Sequence, residues 1–144
     1  SKVKVHVSLT HGEGFGRPLL EATTSEKPVV ASGWSGHLDF LNTIDALLIG
    51  GKLEQVHPSA VWDNVIIAES AWFTPDTQQA STIFMHSFNN YDSLLVGARR
   101  LAKVNVEKFS YDAIFNRIKE LVEKYVPQFA IEVPLKLPTL KKLS

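Results

Sequence analysis

The tightest constraint on this chain is a run of glycines at alternate positions, Gly12, Gly14 and Gly16, set between stretches of opposite periodicity. Ahead of it, Val3, Val5, Val7 and Leu9 alternate with Lys2, Lys4, His6 and Ser8, the period-two signature of a strand over residues 2–10. Behind it, Pro18 suits the first turn of a helix, where its missing N–H costs nothing. Pro18 to about Glu26 then reads as a short helix with Leu19, Leu20 and Ala22 inward. The expected order is strand, glycine turn, helix N-terminus. Such a junction presents free N–H groups and the positive end of a helix dipole, both suited to a phosphate.

The glycine spacing matches neither the dinucleotide fingerprint nor the P-loop. Two carboxylates sharpen the reading. Glu13 precedes the turn and Glu21 lies one helical turn beyond it. Acids around a phosphate would repel it, so they make better sense as acceptors for hydroxyl groups on either side. A sugar and a ribose flanking the phosphates would satisfy both.

The sequence then alternates strands with helices. Pro28–Ser32 is a short apolar strand, 33–36 a second turn, His37–Leu41 a short helix, and Ala46–Ile49 a third strand closed by Gly50 and Gly51. Leu53–Val56 is a candidate strand and 57–59 a turn, while Trp62–Ala68 is either a strand or an ordered loop. The last third reads as helical. Asp76 or Thr77 caps a helix with Ala80, Ile83, Phe84 and Phe88 on one face. Asp92 is a candidate cap for the next, with Leu94, Leu95, Ala98, Leu101 and Ala102 inward. Ser110 caps a third, whose Ile114, Phe115, Ile118, Leu121, Val122 and Tyr125 form the cleanest amphipathic pattern, ended by Pro127. Trp62, Trp72 and Phe73 are expected in the core. Residues 127–144, with Pro134, Pro138 and scattered lysines, read as an extended tail.

Strands separated by helices imply an α/β fold with a parallel sheet, in which ligands bind beyond the carboxyl ends of the strands. Both glycine turns fall there, side by side at one crevice. The alternation in residues 2–10 is unlike the continuous apolarity of a strand buried on both faces, so one face is expected to be wet.

Composition narrows the function. Fifteen basic and fifteen acidic side chains leave no net charge, which gives no support for a nucleic-acid or anionic-membrane partner. Without cysteine, disulfides and thiolate metal sites are excluded. No apolar run approaches the roughly 18–20 residues of a membrane span, and a cytoplasmic location is the expectation.

The segment from Glu13 to Glu21, E-G-F-G-R-P-L-L-E, resembles the E-x7-E motif of retaining GT-B glycosyltransferases, the family often called group 1 or family 4. Lys27-Pro28-Val29-Val30-Ala31-Ser32 with Trp34-Ser35-Gly36-His37 resembles that family's following strand and glycine turn. Trp72-Phe73-Thr74-Pro75-Asp76 resembles its "W…PD" segment, and Phe109-Ser110-Tyr111 the start of its late helix. The matches keep the family's order from about Ser8 to about Tyr125.

The resemblance implies the C-terminal, nucleotide-sugar-binding domain of a GT-B enzyme: a partial Rossmann-like sheet over residues 1–126 with a helical C-terminal third. It implies transfer of a sugar from a nucleotide donor to an acceptor hydroxyl with retention, without metal or resident cofactor. Glu13 becomes the catalytic position, binding donor-sugar hydroxyls, and Glu21 takes the ribose diol. Backbone N–H groups of Gly14, Phe15 and Gly16 hold the sugar and pyrophosphate, and Ser32 and Gly33 lie near the base. Arg17 is a candidate positive charge where the family more often has an apolar residue. His11 and His37 border the turns and are candidate donor contacts. Trp34 is either a base-stacking ring or a packed aromatic.

The family's acceptor-binding domain, and the Arg and Lys that hold its pyrophosphate, have no counterpart in the matched stretch. The expectation is therefore a fragment, inactive alone, with a homodimer through an exposed sheet edge as one way to complete it. Two other classes remain open: another GT-B enzyme such as a sugar-nucleotide epimerase, and a non-catalytic module that binds sugar nucleotides or proteins.

Overall fold

The parallel sheet is built from three short segments of the first fifty residues. A computed structural model describes residues 4–42 and 44–127 of the chain. Strands β1 (His6–Ser8), β2 (Val29–Ser32) and β3 (Leu47–Ile49) lie in the order β1-β2-β3, all parallel, with Val7 opposite Val30 and Ala31 opposite Leu48. A small antiparallel ribbon follows, β4 (Gly51–Gln55) paired with β5 (Ala71–Pro75). Among the described residues there are four α-helices: α1 (Arg17–Thr24), α2 (Thr77–Asn89), α3 (Tyr91–Lys108) and α4 (Tyr111–Tyr125). The α/β expectation holds, and among the described residues no helix is long and apolar enough to cross a membrane.

β2 is central, and all four of its residues are buried because helices cover both of its faces. Val29 and Ala31 point into a cluster with Leu19 of α1, Phe40, Leu41, Ala46 and Leu101 of α3. Val30 points the other way, toward Ile49 and Ala80 of α2. Burying a side chain such as Leu19 contributes about 1.5–3 kcal/mol, and these two clusters fix where β1 and β2 end. Asn105, 1% exposed, ties the first layer together by donating to Thr23 Oγ1 at 2.9 Å and Phe40 O at 3.2 Å.

Several expectations need correction. Of the strand expected at 2–10, the described residues 4–10 form a strand over His6–Ser8; on its apolar face Val5 and Leu9 pack against the Val30–Ile49 cluster and Val7 is 45% exposed, while His6 and Ser8 are half-buried beside α1. The reason is topological, since β1 is an edge and α2 packs over β3 rather than over Val7. Phe88, expected inward on α2, is 84% exposed for the same reason. Between His37 and Leu41 the chain forms a 3-10 turn over Gly36–Asp39 rather than an α-helix.

The candidate strand at 53–56 is β4, and the segment around Trp72 is its partner β5, which periodicity did not reveal. Trp62–Ala68 is an irregular excursion with one bridge, Trp62 to Ile66, and Trp62 is 67% exposed rather than core. Asp76 does cap α2, accepting from Gln78 N and Gln79 N. Asp92 does not cap α3; it lies inside the first turn, because α3 starts one residue after Asn90. Ser110 caps α4 through Ala113 N at 3.1 Å. The apolar stripe of α4 is not core: its six residues are 41–68% exposed, since the helix leaves α3 after its first turn. The tail at 128–144 lies outside the described residues.

Candidate functional site

The two glycine turns leave the carboxyl ends of adjacent parallel strands and are hydrogen-bonded to each other. Gly36 N donates to Glu13 O at 3.0 Å. Ser35 Oγ donates to the same carbonyl at 2.6 Å and accepts from Glu13 N at 3.2 Å. Below them, Ser32 Oγ donates to Thr10 O at 2.8 Å. The approach is so close that a Cβ on Gly36 would sit 1.9 Å from Gly14 O, so only glycine fits. Ser35 has φ 90 and ψ −167, a region that non-glycine residues rarely occupy, at a cost of order 1–3 kcal/mol.

Gly16 is the hinge into α1. It is left-handed, with φ 80 and ψ 46, and its carbonyl accepts from Leu19 N and Leu20 N. Against it lies His37, wholly buried, with Nε2 donating to Ser32 O at 2.6 Å. The partner is a carbonyl, so Nε2 carries the proton. His37 Nδ1 and Thr10 Oγ1 are buried without a hydrogen-bond partner among the described residues, both at the base of the turns. The N–H groups of Gly14, Phe15 and Gly16 also find no acceptor among the described residues. The Phe15 ring anchors the loop from beneath, 5.3 Å from Phe40 and 5.7 Å from Phe109 between centroids.

The remaining candidates fall as follows. Glu13 is half-buried, and its hydrogen bonds run through its backbone. The Glu21 side chain is 63% exposed and accepts from Arg17 Nε at 2.9 Å, so these two side chains face each other along the surface of α1. His11 is exposed, donates from Nδ1 to Phe73 O at 2.7 Å and stacks on Trp72 at 4.1 Å. Ser32 is fully buried with its hydroxyl engaged, and Gly33 N donates to Ile49 O at 2.7 Å. Trp34 stacks on Phe73. His37 is buried, so its ring is a structural support for Gly16 and not a surface contact.

The structure thus brings Glu13, Gly14, Phe15 and Gly16 together with the second turn, and keeps Glu21 and Arg17 on an open helix face. Five clefts on the described residues are lined by other segments and by none of residues 11–21. Among the described residues no group of three or more His, Asp and Glu side chains is placed to hold a metal ion. Sequence reasoning missed the clamp made by Ser35 and the latch of His11 onto β5. The signal for the first was Ser-Gly at a strand end where the resembling family carries two glycines. The second had no local signal, because its partners are 62 residues apart. No family model, no curated protein and no solved structure matches the chain.

Proposed function

We propose that this chain is the donor-binding half of a retaining GT-B-type glycosyltransferase, working with an acceptor-binding domain. One observation carries the reading: the turns after β1 and β2 are clamped together at the N-terminus of α1, with the amides of Gly14, Phe15 and Gly16 unpaired among the described residues. Bare amides at a helix N-terminus stabilise a diphosphate leaving group without a metal. Glu13, whose backbone the Ser35 clamp fixes, takes the donor-sugar hydroxyls. Glu21 takes the ribose diol by exchanging its Arg17 partner for the ligand, and Arg17 then faces the phosphates. The parallel order β1-β2-β3 supports the Rossmann-like part of the assignment.

Calorimetry with a panel of UDP-, GDP- and ADP-sugars tests it. Saturable binding that Glu13→Gln and Glu21→Gln each weaken is expected; binding unaffected by both substitutions, or absent across the panel, overturns the assignment. A non-catalytic module is the second reading, favoured by the Arg17–Glu21 pair and by the open surface over the turn. Donor binding with no hydrolysis or transfer, even beside an acceptor-binding domain, would select it. The outer edge of β1, unpaired among the described residues, supports a homodimer, which sedimentation velocity would reveal.

A further inference from the structure

The segment between β3 and α2 has no role in the donor reading, yet it holds the two largest clefts of the five. One, of about 660 Å³, lies between the β4–β5 ribbon and the excursion at 56–68. The other, of about 750 Å³, continues along the same ribbon to the start of α2. They share Glu54 and Thr74, so they form one groove. Both volumes lie in the roughly 300–1,000 Å³ range of small-ligand sites.

The register explains the lining. Glu54 pairs with Trp72 and Lys52 with Thr74, so these four side chains emerge on one face of the ribbon, while Phe73 is buried on the other. Lys52 Nζ lies 2.7 Å from Glu54 Oε1. The ammonium and the Thr74 hydroxyl hold the Glu54 carboxyl below its ordinary range and fix its direction. A carboxylate has about four acceptor positions, so two remain for a ligand. Lys52 offsets Glu54, and Asp76 at the α2 end leaves one negative charge, its Oδ1 already accepting from Gln78 N and Gln79 N. Trp72 supplies an apolar wall, braced from behind by the stacked His11 imidazole. On the opposite bank, His57 binds Ser59 through Nδ1, which leaves Nε2 for a ligand.

We propose that this groove is a binding site for a neutral oligosaccharide. An indole wall suits the C–H face of a pyranose, and a fixed carboxylate suits a pair of neighbouring hydroxyls. An uncharged, hydroxyl-rich ligand is the class that this lining matches. An anion would be repelled by Asp76, a cation would find Glu54 held by Lys52 and Asp76 engaged in capping α2, and a purely apolar ligand would strip water from Glu54 and Lys52 without replacing its hydrogen bonds. The site is distinct from the glycine turns but reaches them through the His11–Trp72 stack, and it stands whether or not those turns bind a nucleotide sugar.

The test is an amide-resolved NMR titration of the full chain with maltotriose, cellotriose and triacetylchitotriose, each without nucleotide. Saturable shifts at residues 52–57 and 68–74 are expected for at least one trisaccharide. Glu54→Gln should weaken that binding about tenfold, the loss typical of a hydrogen bond to a charged group. His57→Ala, on an exposed side chain, and Trp72→Leu should each weaken it too, the former guarding against misfolding of the latter. No saturable shift with any of the three sugars, shifts confined to other surfaces, or affinity unchanged in Glu54→Gln and His57→Ala would each overturn the proposal. Nucleotide-sugar calorimetry reads the glycine turns separately, so the two proposals fail independently.

Discussion

Gly36→Ala is the most direct test of the clamp between the two turns. The new methyl carbon would lie 1.9 Å from Gly14 O and 2.7 Å from Gly14 C, both backbone atoms that cannot swing aside. The turns would have to part by more than an ångström, which breaks the 3.0 Å bond from Gly36 N to Glu13 O. Losing that bond costs about 1 kcal/mol, and the forced backbone shift about 1–3 kcal/mol more. Reduced freedom of the unfolded chain returns about 0.4–1 kcal/mol. The net destabilisation is about 1–3.6 kcal/mol, a sizeable share of the ~5–15 kcal/mol of a typical domain. Urea unfolding followed by tryptophan fluorescence would show it as a lower midpoint at unchanged slope. Gly14→Ala is the control: nothing lies within 4 Å of its Cβ position and its φ is not positive, so stability should hold or rise by up to about 1 kcal/mol. If Gly36→Ala unfolds within about 0.5 kcal/mol of the parent, the two turns are not in the contact described.

Four further outcomes are expected. Ser35→Ala keeps the strained φ of 90 and loses both bonds to Glu13, whereas Ser35→Gly loses the bonds but relieves the strain; denaturant melts should therefore rank the glycine variant above the alanine variant by about 1–3 kcal/mol. Asn105→Leu strands the Phe40 carbonyl and should cost about 1–3 kcal/mol in the same assay. The carboxyl of Glu54, lowered from its ordinary 4.5 by Lys52 and Thr74, contributes stability that is present above that value and lost as pH falls through its folded one; Glu54→Gln should remove this part of the acid limb of a stability–pH profile. Ile118→Glu on the open face of α4 should change stability by no more than about 0.5 kcal/mol, whereas Leu101→Ala, 3% exposed on α3, should cost about 2–5 kcal/mol.

The contrast between α3 and α4 shows what periodicity can convey. Both carry an apolar stripe, and the cleaner one belongs to α4, yet Ala98, Leu101 and Ala102 are buried while Ile114 to Tyr125 are open. A stripe records that a helix face is suited to burial; whether something lies against it depends on where the chain takes the helix. The strand–turn–helix order around Gly12–Gly16 was legible because proline and glycine act on their own backbone. The β4–β5 ribbon was not, because a pairing such as Glu54 with Trp72 joins segments separated by an irregular excursion. The Arg17–Glu21 pair is the opposite case: it is an i,i+4 spacing on one helix, so it was open to reading from the sequence, and the weight given to a phosphate obscured it.

The candidate site concentrates its structural cost in one residue. Ser35 could relax if it were glycine, and the neighbouring Gly36 already shows that the close approach of the turns needs no side chain there. What the serine adds is a hydroxyl that both donates to and accepts from the backbone of Glu13, so the carbonyl and amide of that residue are satisfied while the amides of the next three find no acceptor among the described residues. Two hydrogen bonds, at about 0.5–1.5 kcal/mol each, offset a strain of about 1–3 kcal/mol. The exchange is close to neutral for stability, so stability alone gives little reason to hold a serine at this position. It does fix the backbone of Glu13 at the rim of the turn, the position that the proposed donor site gives to its acid.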